Sequence, residues 1–150
     1  MKPIKIFSIL LMLCLGIATV ATAQPAAVKK AANTTFTLTT FDAKGSILST
    51  SNGVFVSNNG ICVSTWKPFV GAMKAEVTDN NGQKYSVETI LGANELYDVA
   101  KFKITAKTNA ALFAPSVVAN SAAWIVMPSQ AGAPIKANID KVEKFMTKYN

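Results

Sequence analysis

The sequence predicts an all-β protein, a small barrel or sandwich of short antiparallel strands, and two observations carry that prediction. In Thr35–Phe41, TFTLTTF, threonines alternate with Phe36, Leu38 and then Phe41, the period of two expected of a strand with one buried face. Farther on, Asn52-Gly53, Asn59-Gly60 and Asn81-Gly82 punctuate more β-rich runs. Asn-Gly reaches positive φ at little cost and is the strongest short-range hairpin signal. A length of 150 residues fits one domain, or one domain plus a tail.

Taken in order, the chain opens with Lys2 and Lys5, then an apolar run from Ile6 to Ala21, then Ala21-Thr22-Ala23 before Gln24. These are the three parts of a secretory signal peptide, so residues 1–23 are expected to be removed and the protein to be exported to the periplasm or outside the cell. The run is too short for a membrane anchor, and Leu13 precedes Cys14 where lipidation requires a small residue. Residues 24–33, QPAAVKKAAN, carry no core-directed periodicity and read as a flexible leader. After the first strand, Asp42-Ala43-Lys44-Gly45 turns the chain, residues 46–50 return, and Asn52-Gly53 leads into residues 54–57. Asn59-Gly60 turns it into residues 61–65, and beyond Pro68 come residues 73–79, 84–92 and 98–104. Past Thr105 the pattern weakens: residues 124–128 are a further candidate strand, and residues 129–138 read as a loop. The end of the chain is ambiguous, since Ile139, Val142, Phe145, Met146 and Tyr149 fit one helical face while the same stretch also reads as a strand.

Composition narrows the function. The formal charge is +7, falling to +5 without the signal segment (13 lysines against 8 acidic residues), and every cation is a lysine. Without arginine there are no bidentate phosphate or base contacts, so nucleic-acid binding is not expected. Stable membrane insertion is not expected either. The sequence contains no histidine, which removes the commonest zinc sites and His-based acid/base catalysis; no cofactor or metal is expected. Once the signal segment is gone Cys62 is the single cysteine, between Ile61 and Val63, and reads as a buried thiol.

The segment from Asn52 to Ile104 resembles the first β-barrel of trypsin/chymotrypsin-like serine peptidases, in particular the exported bacterial Deg-type (high-temperature-requirement) branch. Ser51-Asn52-Gly53 stands for that family's opening segment, Asn59-Gly60 for its turn, and Ser64-Thr65 for the Thr-Asn pair that precedes the catalytic histidine. Lys67 falls in the histidine's position, and NELYDVAKFKI places Asp98 at the triad aspartate. The resemblance implies a single six-stranded antiparallel barrel over residues 34–128, with 129–150 as a linker and the start of a second barrel that the sequence does not supply. No Gly-x-Ser-x-Gly segment is present to carry a nucleophile. It therefore implies a catalytically inactive, peptidase-like module.

The remaining chemistry is sparse. Ser64-Thr65-Trp66-Lys67 matches S-x-x-K, but that dyad needs both residues one turn apart on a helix, and Ser64 ends a strand while Pro68 disfavours a helical Lys67. Asp98 can instead accept backbone N–H groups at a strand start and fix the loop from Asn94. Asp79-Asn80-Asn81-Gly82 is a turn before it is a calcium loop. Trp66, Phe69 and Trp124 are candidates for binding a peptide or protein partner, or for burial beneath a loop. Three readings stay open: an inactive peptidase-like binding module, able to dimerise through an exposed barrel face; a fragment or subunit of a peptidase whose second barrel lies elsewhere; and an unrelated envelope β-protein.

Overall fold

The structure, a computed structural model, describes residues 25–128 and 133–142. The segment read as a signal peptide, Gln24 and residues 143–150 of the ambiguous tail lie outside them.

Six strands close an antiparallel barrel: β1 (Thr35–Phe41), β2 (Ile47–Phe55), β3 (Ile61–Ser64), β4 (Lys74–Asp79), β5 (Lys84–Asn94) and β6 (Val99–Ile104), in the spatial order β1-β2-β3-β6-β5-β4. The period of two in β1 does turn one face inward, but the third inward residue is Thr40, not Phe41. Thr40 is fully buried, while Phe41 lies outside beneath the Lys74 ammonium, 5.6 Å from its ring centre. Strand β6 alternates the same way, burying Ala100, Phe102 and Ile104 and presenting Val99, Lys101 and Lys103 to solvent. With Phe36, Leu38, Phe55, Cys62 and Val77 these side chains fill the barrel.

Residues 46–50 and 54–57 are not separated by a turn. Asn52-Gly53 lies inside one continuous strand, β2, paired with β1 on one side and β3 on the other. Gly53 is required there because the Phe36 ring lies against it: a Cβ at this position would sit 2.3 Å from Phe36 Cζ and 2.7 Å from the Val63 carbonyl oxygen. The other two Asn-Gly pairs do turn the chain, with Gly60 at φ 84° and Gly82 at φ 79°. In the second of these turns Asp79 Oδ1 accepts the N–H groups of Asn81 (2.8 Å) and Gln83 (2.9 Å). Strand β5 closes the barrel by changing partners. Its first part, residues 84–86, pairs with β4 and the remainder, 87–94, with β6, and irregularities at Val87/Thr89 and Ile90/Gly92 bend it across the corner.

The flexible leader expected over residues 24–33 is corrected by helix α1 (Ala26–Ala32), whose Val28 is buried. Alanine is the best helix former, and the last-turn carbonyls of Ala31 and Ala32 accept the hydroxyls of Thr34 and Thr35, each at 2.7 Å. Beyond the barrel, β7 (Ala122–Ile125) pairs antiparallel with β8 (Ile135–Asn138) in a separate two-stranded sheet, so part of the expected loop over 129–138 is strand. Residues 139–142 have no regular structure. Among the described residues, no helix is long and apolar enough to cross a membrane.

Candidate functional site

Strand register builds the site. Ser64 at the end of β3 pairs with Ala100 near the start of β6, so in an antiparallel pair the chain two residues beyond Ser64 meets the chain two residues before Ala100. That brings Trp66 to Asp98. The backbone N–H of Trp66 donates to Asp98 Oδ1 at 3.0 Å and to the Asp98 carbonyl at 3.3 Å, and the Lys67 N–H donates to the same Oδ1 at 2.7 Å. Asp98 adopts φ 51°, a left-handed conformation that aspartate tolerates better than most residues. The turn feeding it is fixed by the Asn94 side chain, which accepts the Tyr97 N–H at 3.0 Å, and by the Glu95 carbonyl, which accepts the Asp98 N–H at 3.3 Å.

Lys67 opens a single 3₁₀ turn, Lys67–Phe69, with the Pro68 side chain buried. The Lys67 side chain is exposed, and among the described residues its ammonium forms no ion pair with Asp98. The structure thus brings Lys67 and Asp98 together through backbone and carboxylate, not through two charged heads.

Ser64 and Lys67 do not form a dyad. Ser64 is buried on the strand, its hydroxyl 3.1 Å from that of Ser51 and donating to the Asn52 carbonyl at 2.8 Å. A serine held by strand neighbours on one side, with its lysine facing solvent, has no base to activate it. Cys62 is no nucleophile either: full burial pushes its thiol up to about 12, far from the thiolate.

The three aromatic candidates divide. Trp66 and Phe69 stack with ring centres 6.1 Å apart, and Phe69 meets Phe102 edge-on at 5.2 Å, so a line of aromatic contacts runs from the barrel interior to half-buried Trp66 at the mouth. Trp124 belongs to β7, opposite Lys136, and makes no ring contact with the other two. The sequence reading missed the apolar rim beside Asp98. Leu96 is 84% exposed, with Tyr97, Val99 and Leu91 also open to solvent. Their signal was present in the sequence, an apolar Leu-Tyr next to the acidic Glu95 and Asp98, but strand alternation alone does not say which members of a corner face outward.

No family model matches the sequence, and no curated protein does. Among solved structures the chain is similar to the serine endoprotease from Yersinia pestis, at 25% identity and a TM-score of 0.49, over 53% of this chain and 28% of that one. The match spans little more than a quarter of that endoprotease.

Proposed function

We propose that this chain is an exported, non-catalytic barrel of the trypsin-like serine-peptidase type that works by binding an extended peptide or a protein partner at the mouth flanked by Trp66 and Asp98. The observation that carries the reading is the Asp98 carboxylate, which spends its Oδ1 on the backbone N–H groups of Trp66 and Lys67. A carboxylate just before the start of β6 bonded to the residue in the base position is the arrangement that the motif order of the sequence implies. With lysine there in place of imidazole, and that lysine exposed and not ion-paired with Asp98, the Asp98 end of the barrel offers no triad-type proton relay to a nucleophile. What remains is a rigid carboxylate turn and an apolar rim, formed by Leu96, Tyr97 and Val99 beside the half-buried Trp66. Exposed apolar side chains next to fixed polar groups suit partner binding.

Three measurements test this. A fluorophosphonate probe should leave the purified protein unlabelled; saturable labelling of Ser64, or of any other serine, overturns the non-catalytic reading. Indole fluorescence of Trp66 should shift saturably with an apolar decapeptide and lose that response in Leu96→Asp, whereas an unchanged response in the variant removes the binding mouth. For export, the N-terminus of protein recovered outside the cytoplasm should be Gln24. Self-association through the same rim is the companion expectation, read as a rise in apparent mass with concentration and abolished by the same Leu96→Asp change.

A further inference from the structure

The opposite mouth of the barrel carries a polar cavity. Strands β4 and β6 end there, α1 and β1 join there, and the chain beyond β6 folds back over it. The space measures about 250 Å³ and its walls are polar: Asn33 from the end of α1, Asn81 and Tyr85 from the β4–β5 hairpin, and Lys107 and Asn109 from the segment after β6.

Its walls are held in place by bonds that leave other groups free. The Asn80 side chain donates to the Ala32 carbonyl, tying hairpin to helix. Thr108 donates its hydroxyl to the Ser57 carbonyl at 2.6 Å and accepts the Gly60 N–H at 3.3 Å, and Ala110 N–H reaches Asn58 Oδ1 at 3.1 Å. Partial burial first, then the neighbouring Asp79 carboxylate, hold the Tyr85 phenol above the usual range, so it is neutral at physiological pH. By contrast, the side-chain amides of Asn33, Asn81 and Asn109 make no hydrogen bond among the described residues.

We propose that this cavity binds one ring of a saccharide. Three amides offer paired donors and acceptors, the pattern that neighbouring hydroxyl groups satisfy. Half-buried Tyr85 supplies the aromatic ring on which the C–H face of a pyranose rests. The charges of Asp79 and Lys107 offset each other, and with no arginine in the walls a phosphate finds no bidentate partner. The volume lies below the roughly 300–1,000 Å³ of drug-sized sites, which sets the ligand at one ring with its substituents.

The test is a two-dimensional amide NMR titration of the isotope-labelled full chain with glucose, with N-acetylglucosamine, with the disaccharide of each, and with inorganic phosphate as the charged counterpart. A monosaccharide should give saturable shifts at Asn81, Tyr85, Lys107 and Asn109 and none at Lys67 or Asp98. If the physiological source is a chain terminus, the disaccharide binds at least as well; if it is a free sugar, the monosaccharide binds more tightly. Asn33→Ala and Asn109→Ala, both at exposed positions, should each weaken binding by about five-fold or more while leaving the melting temperature unchanged. Tyr85→Phe, which keeps the ring, should weaken it as well. The proposal is overturned if no sugar gives a saturable shift, if phosphate binds more tightly than every sugar, or if the asparagine variants bind as the parent does.

Discussion

At the scale of single residues, Asp98 and Cys62 make opposite use of burial. Asp98 combines two costs in one position, positive φ and the ordering of a charged side chain, offset by two charge-assisted bonds to backbone N–H groups. Asp98→Asn keeps an acceptor oxygen and tolerates the left-handed conformation, so we expect urea denaturation to register a loss of about 1 kcal/mol or less. Asp98→Ala loses both and should cost about 1–3 kcal/mol; equal effects of the two substitutions would show that the carboxylate does not hold the turn. Cys62 has the reverse chemistry. Its native thiol is pushed up to about 12 from an ordinary value near 9, so above about pH 9 the unfolded chain releases a proton that the native state keeps. Since stability rises with pH only where the unfolded state holds more protons, this group contributes fully below pH 9, and its contribution falls as pH climbs from there toward 12. Stability should therefore drop by about 2 kcal/mol between pH 9 and roughly 10.5. Cys62→Ala should lower the whole curve through its cavity yet flatten that alkaline slope; an unaltered slope places the titration elsewhere.

At the scale of elements, the glycines show what a sequence pattern can and cannot convey. Gly82 and Gly53 both follow asparagine, yet one turns the chain at φ 79° with open space for 4 Å around the point where a methyl would stand, and the other lies in a strand with Phe36 pressed against it. The physical demand is conformational in the first and spatial in the second. Gly82→Asn should therefore change stability by no more than about 0.5 kcal/mol, because asparagine tolerates positive φ. Gly53→Ala should cost at least about 2 kcal/mol, since the Val63 carbonyl on its other side is backbone and cannot step away. Thermal melts of the two variants compare them directly, and similar losses would remove the distinction. The dipeptide alone could not separate these cases, because the contact that fixes Gly53 comes from Phe36, a partner on another strand. Thr40 differs: the period of two runs unbroken through β1 and puts Thr40 inward after Phe36 and Leu38, and it was the apolar character of Phe41 that drew the third inward place away from it. Helix α1 escaped notice because seven residues show little periodicity, and its order comes from the Thr34, Thr35 and Asn80 side chains that bond its last carbonyls.

At the scale of the whole molecule, the barrel was legible because β1, β3, β4 and β6 alternate about one interior, and the meeting of Asp98 with Lys67 follows from the order of strands once that barrel closes. The polar cavity was not legible, since Asn33, Asn81 and Asn109 are far apart in sequence and each reads as an ordinary loop residue until closure assembles them. Closure also divides the molecule energetically. In the barrel every strand has two partners, and Phe36, Leu38, Val77, Phe102 and Ile104 are fully buried at its centre. Strands β7 and β8 have only each other; Ile125 and Ile135, one of their facing pairs, are about half exposed, at 52% and 53%. A two-stranded ribbon without a buried face is marginal on its own, so it should open without unfolding the barrel. In native-state hydrogen exchange, the amides of Ala122–Ile125 and Ile135–Asn138 should exchange orders of magnitude faster than those of Phe102 and Val77, and low urea should accelerate them only slightly, because little surface is exposed in the opening. Exchange of both groups at one common rate, with one common urea dependence, would instead mean that ribbon and barrel unfold as a single cooperative unit, and the ribbon would then have to draw its stability from packing rather than from its own ladder.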